Sequence, residues 1–148
     1  MVGLFDYIEL RSRTAFSFLG GASLPEDLVA RAAELGYGVI GCGDRDGVYG
    51  APRLHQAAVK AGLRAIVGCT LSLAGGGELY VLVADRSGYQ NLCRLLTESK
   101  LRSEKGASVV TWDDLEGRTE GLICLAGGGE GVVAAALARE QVVRLLRC

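Results

Sequence analysis

The stretch Ser23-Leu24-Pro25-Glu26-Asp27-Leu28-Val29-Ala30-Arg31-Ala32-Ala33-Glu34-Leu35-Gly36-Tyr37-Gly38-Val39-Ile40-Gly41-Cys42 decides how the chain is read. Ser23 and Glu26 have the spacing of a capping box, in which the hydroxyl accepts the N3 amide and the carboxylate reaches back. Leu24, Leu28, Ala32 and Leu35 then fall on one helical face, with Glu26, Asp27, Arg31 and Glu34 elsewhere. Gly36 stops that helix, and Tyr37–Cys42 follows as a short buried strand. A capped amphipathic helix running straight into an apolar strand is half of a βα repeat.

The same alternation continues on both sides. Upstream, Asp6–Leu10 alternates polar and apolar residues and predicts a strand. Downstream, Gly43–Gly50 is a loop, and Leu54, Ala57, Ala58 and Ala61 mark a second helix ended by Gly62. Ala65–Leu73 and Glu78–Ala84 are strands joined by a hairpin turn at Ala74–Gly77. Tyr89, Leu92, Cys93 and Leu96 share a third helix, and Leu101–Val110 is a polar connection. Thr111-Trp112-Asp113-Asp114 opens a short helical turn with Thr111 as its cap. Gly121–Ala126 is a fifth strand, Gly127–Gly131 a glycine turn, and Val132–Arg147 a last helix with Ala135, Ala138, Val142 and Leu145 on one stripe. Alternating strands and helices imply an α/β fold with a mostly parallel sheet and flanking helices. The units are too few for a closed eight-stranded barrel of about 250 residues, so the chain reads as a small open sheet or part of a barrel. No linker or repeat divides it, and residues 1–148 read as a single domain.

Composition narrows the function classes. The 148 residues are 49% apolar and 22% charged with net charge −1, unlike a disordered chain or a free-standing, basic nucleic-acid binder. No apolar run approaches the roughly 18 residues of a membrane span, and no basic region precedes an apolar one as in a signal peptide. The expected setting is therefore cytoplasmic. Five cysteines, Cys42, Cys69, Cys93, Cys124 and Cys148, are odd in number and lack any CxxC pair, so they read as reduced, mostly buried thiols. His55, the single histidine, sits beside an apolar helix face as a boundary residue.

Ligands of parallel α/β folds bind at the C-terminal strand ends. Three loops qualify: Arg11-Ser12-Arg13-Thr14, Gly43-Asp44-Arg45-Asp46-Gly47 and Gly68-Cys69-Thr70. Their charged residues imply a polar cleft, laced by Arg–carboxylate pairs or open to a ligand.

Seven stretches carry a resemblance. They are Tyr7–Ser23 (YIELRSRTAFSFLGGAS), Leu28–Tyr37 (LVARAAELGY), Gly43–Gly50, Ala57–Gly68, Gly88–Thr97 (GYQNLCRLLT), Thr111–Leu115 (TWDDL) and Gly121–Gly128 (GLICLAGG). In this order they resemble the PHP (polymerase and histidinol phosphatase) domain that begins bacterial DNA polymerase III alpha-type subunits, the error-prone branch above all. The resemblance implies a distorted β/α barrel with metal ions at its mouth. In active members, His, Asp and Glu hold these ions for phosphoester hydrolysis by metal-activated water. Carried over by position, the first motif, usually His-x-His, is Arg11-Ser12-Arg13. The second, usually Thr-Asp-His, is Gly43-Asp44-Arg45, and the Glu of the third is Thr70. Only Asp44 survives of these.

A guanidinium stays protonated and offers a metal no lone pair. The resemblance therefore implies a degenerate, metal-free site with no catalytic residue and no cofactor. Arg11, Arg13 and Arg45 then pair with Glu9, Asp44 and Asp46, or bind a phosphate or carboxylate as Arg forks do. The expected role is structural or interactive, in an error-prone DNA polymerase serving replication and translesion repair. The rivals are an active metal-dependent phosphoesterase or nuclease and an Arg-based anion module. The expected partners are the remainder of a polymerase or other replication and repair proteins, with no strong nucleic-acid binding and no membrane. The chain is expected to be the N-terminal portion of a PHP domain, truncated before barrel closure and before any polymerase region. It would then not polymerise DNA alone. The uncovered edge would favour a homodimer or a constitutive partner.

Overall fold

The computed structural model describes residues 7–138. Asp6 of the first expected strand, Val142 and Leu145 of the last helix, and Cys148 lie outside them. The described elements are β1 (Glu9–Ser12), α1 (Pro25–Glu34), β2 (Val39–Arg45), α2 (Ala51–Ala61), β3 (Arg64–Ser72), β4 (Glu78–Val83), α3 (Arg86–Arg102), α4 (Trp112–Leu115), β5 (Leu122–Leu125) and α5 (Val132–Ala138). The sheet has five strands in the order β1-β2-β3-β4-β5. The chain gathers into two compact units, one up to Cys69 and one from Thr70, with β3 running through the boundary.

In the first unit β1 and β2 are parallel, joined through α1 as the helix–strand alternation requires. Glu9 lies opposite Ile40 and Ser12 opposite Cys42, so two residues of β1 face one of β2 in a bulge. Gly41 permits the close approach: a Cβ there would stand 2.8 Å from the Leu10 carbonyl oxygen. Val29 and Ala32 of α1, Ile40 and Cys42 of β2, and Leu54 and Ala58 of α2 form the core.

α1 starts one residue later than the sequence suggested. Its N-cap is Leu24, whose N–H donates to Asp27 Oδ2 at 3.3 Å, while Pro25 sets the first helical position. Ser23 instead uses its carbonyl, accepting from Ala15 N–H at 2.8 Å, and Glu26 pairs with Arg53. The buried face turns with it. Pro25, Val29 and Ala32 point inward, and the expected Leu24 and Leu35 are exposed.

The second unit corrects the expectation of a mostly parallel sheet. Leu73–Gly77 reverses the chain in five residues, with Leu73 N–H donating to Gly77 O at 3.1 Å. Gly75, Gly76 and Gly77 have φ of 88°, 94° and 93°, a run that only glycine adopts without strain. β5 then returns antiparallel to β4, Tyr80 opposite Leu125 and Val83 opposite Leu122. The sheet is therefore mixed. α3 packs on β4 and β5, burying Leu92, Leu95, Leu96 and Ser99, while Tyr89 stays exposed. Helix α3 runs to Arg102, past the expected start of the polar connection. Thr111 caps α4 as expected, accepting from Asp114 N–H at 3.2 Å.

Two predictions arise in the second unit. Gly88 lies so close to Gly121 that a Cβ would overlap the Gly121 carbonyl. Gly88→Ala should cost about 2 kcal/mol or more of unfolding free energy in a urea titration. Asp114 accepts from Thr111 N–H at 2.7 Å and from both terminal nitrogens of Arg102. That guanidinium, with the Thr111 bonds, holds its carboxyl well below the ordinary carboxylate range. A depressed pKa stabilises the fold above the unfolded value, about 4, and the gain is lost as pH falls through the folded value. Arg102→Met should lower stability only slightly at neutral pH, since Arg102 is partly exposed and its attraction to Asp114 is screened by water. The gap to the wild type should close on acidification below about pH 4.

Candidate functional site

β1 and β2 end at Ser12 and Arg45, further along than their apolar patterns suggested, and this places the site residues. Glu9 and Arg11 lie on β1, Asp44 and Arg45 are the last two residues of β2, and Thr70 is inside β3 rather than in a loop after it. Arg13 follows β1, and its Nη1 lies 3.5 Å from where a Cβ on Gly20 would stand. Asp46 follows β2 at φ 48°, a left-handed conformation that aspartate tolerates. Thr70 is fully buried and belongs to the second unit.

The centre of the first unit's strand-end region is Asp44, only 3% exposed. Its Oδ1 accepts from Thr14 N–H at 2.8 Å and Ser17 Oγ at 2.8 Å. Thr14 Oγ1 lies 2.9 Å from each carboxylate oxygen, and Gly50 N–H donates to Oδ2 at 3.2 Å. Ser17 Oγ in turn accepts from Arg45 N–H at 3.0 Å. Glu9 is engaged locally, accepting from Tyr7 Oη just before β1 at 2.9 Å and from Arg11 N–H within it at 2.8 Å.

Thr14 and Ser17 are the residues that sequence reasoning missed. The available signal was two hydroxyls three apart just after a strand, a pattern that ties local turns. Ser17 N–H donates to Thr14 O, and Gly20 and Gly21 N–H both donate to Ser17 O. The turn thus closed carries Phe18 and Leu19 outward, 84% and 93% exposed, with Leu19 at φ 59°. Arg53 stacks over Phe16 with its guanidinium carbon 5.7 Å from the ring centre.

Among the described residues no group of three or more His, Cys, Asp or Glu is placed to hold a metal ion. The cysteines divide: Cys42 and Cys69 are buried as expected, Cys93 is half-buried, and Cys124 is exposed on β5, against expectation. Burial, reinforced by the Asp44 charge, pushes the Cys42 thiol up to about 11. Among the described residues, iodoacetamide at about pH 8 should therefore label Cys124 first and leave Cys42 unmodified until unfolding, as peptide mapping will read. His55 is exposed on α2, consistent with a boundary residue.

The family model for the PHP domain matches residues 9–147. The chain belongs to the PHP domain family. Its relatives include the error-prone DNA polymerase of Anaeromyxobacter sp. (strain K), 40% identical over 145 residues, which cover 88% of this chain and 13% of the relative. Error-prone DNA polymerase 1 of Agrobacterium fabrum is 42% identical over 117 residues, covering 79% of this chain and 11% of the relative. This PHP chain therefore spans only a small part of the length of those polymerases. Among solved structures, a putative metal-dependent phosphoesterase from Bifidobacterium adolescentis shares the fold at TM-score 0.53 and 19% identity, over 90% of this chain and 50% of its own. An amidohydrolase from Chromobacterium violaceum, solved with bound sulfate and no metal, matches 62% of this chain and 32% of its own at TM-score 0.53 and 23% identity. Among the described residues of this PHP chain, no helix is long and apolar enough to cross a membrane.

Proposed function

We propose that this chain is a degenerate PHP domain of an error-prone-polymerase-type subunit, with a structural or interaction role and no phosphoesterase chemistry at the three motif positions. The observation that supports this is the donor set at the strand ends. Where active members of the family have imidazoles, β1 and the residue after it present Arg11 and Arg13, and β2 ends on Arg45. Guanidiniums cannot ligate a divalent ion and repel it, and Thr70 stands where a carboxylate would. The residues present do not fit the family's metal centre, so no hydrolytic step is routed through one. The relatives' length favours the rest of a longer polymerase polypeptide as partner over a homodimer, and it suits a cytoplasmic setting in replication and repair.

Protein purified without chelator should carry substoichiometric Mn, Zn and Fe by elemental analysis, and should not hydrolyse bis-p-nitrophenyl phosphate with added Mn²⁺. A tightly held ion together with turnover would establish the active phosphoesterase instead.

The Arg set also favours a second reading, an anion site. Forked guanidiniums suit phosphate, and the amidohydrolase with the same fold was solved with bound sulfate. If the three Arg hold an anion, phosphate should raise the melting temperature with its binding, and Arg45→Ala should remove that rise. If Glu9, Asp44 and Asp46 balance the three Arg, phosphate should leave the melting temperature where chloride does.

A further inference from the structure

We propose that Asp44 does in this fold what a cation does in a metal centre: it ties the strand-end segments together, and its carboxylate is thereby closed to any metal. This rests on the reading of Asp44 as the surviving motif position and deepens it.

The donors are the argument. An ionised carboxylate has about four lone-pair directions. Four protein hydrogens are aimed at Asp44, from Thr14 N–H, Thr14 Oγ1, Ser17 Oγ and Gly50 N–H. They come from two separate segments, the turn after β1 and the entry to α2, and Asp44 itself adds the end of β2. A metal gathers anions; here one anion gathers donors, and the polarity of the site is inverted. Space points the same way. A Cβ on Gly50 would stand 2.7 Å from Asp44 Oδ2 and 3.0 Å from Thr14 Cγ2. A backbone therefore lies against the carboxylate where an ion and its waters would have to sit. To ligate a metal, Asp44 would have to release donors that are themselves buried, leaving Thr14 and Ser17 hydroxyls without acceptors.

The test uses the full 148-residue chain. Amide hydrogen exchange reads residues 14–21, and thermal melting is followed with and without MnCl₂. Asp44→Asn replaces one acceptor oxygen with a donor facing donors. Thr14→Val keeps the shape and deletes one hydroxyl, and Ser17→Ala deletes the other. Each should speed exchange at the Ser17, Gly20 and Gly21 amides about tenfold or more, and Asp44→Asn should lower the melting temperature by about 5 °C or more. Glu34→Gln, an exposed control, should change neither, and Mn²⁺ should not move the wild-type melting temperature. If Asp44→Asn does not fold, Thr14→Val and Ser17→Ala decide, and unchanged exchange in both overturns the proposal. So does a Mn²⁺-dependent rise in wild-type melting temperature that Asp44→Asn removes while exchange in 14–21 stays unchanged. A metal bound elsewhere on the chain would sink the metal-free reading and leave this one standing.

Discussion

A buried carboxylate is tolerated only when every lone pair finds a donor, and in the first unit that requirement organises the strand ends. Charge taken out of water costs several kcal/mol unless it is fully hydrogen-bonded. Asp44 meets the condition through neutral donors, two amides and two hydroxyls. Neutral donors leave the negative charge in place, and the neighbouring Cys42 thiol registers it by holding its proton more tightly. The turn after β1 and the first residue before α2 have their positions because this group must be served. The β1 bulge and the glycine at position 41 bring the strands close enough for Thr14 to reach.

The alternation of helix and strand was legible in the sequence because periodicity is a local property. All five strands and the first four helices stand within a few residues of where the pattern placed them, and the last helix starts where expected. Register was not legible. Leu24 and Leu35 fit the same helical stripe as Leu28 and Ala32, yet Pro25 fixed the start of the helix and turned Val29 inward. The packing partner, α2 with Leu54 and Ala58, takes the stripe that Val29 and Ala32 present. Strand ends failed for a related reason. Polar residues at 44 and 45 looked like loop, although their backbones continue the ladder while the Asp44 carboxylate and the Arg45 N–H serve the site.

Sheet direction shows the same division. The hairpin at Ala74–Gly77 was visible as a glycine cluster, and a tight reversal already implies antiparallel neighbours. Alternating βα units nevertheless predict a parallel sheet. Three consecutive left-handed glycines then decided the matter. Of the candidate site, Asp44 stands near the end of β2 and takes its hydrogen bonds from Thr14, Ser17 and Gly50. Thr14 and Ser17 carry no charge, and two hydroxyls three apart after a strand signal a local turn rather than the partners of Asp44.

The turn from Phe16 to Gly21 has a consequence for how the chain meets proteases. Two large side chains standing in solvent look like an invitation to nicking, because exposed tips are where cleavage concentrates. A protease, however, must draw its substrate into an extended strand. Here Ser17, Gly20 and Gly21 amides are already bonded inside the turn, and Ala15 is bonded across it to Ser23. Opening the loop would also strip Asp44 of its donors. Among the described residues of the first unit, the most exposed apolar point is thus protected by the least exposed charge.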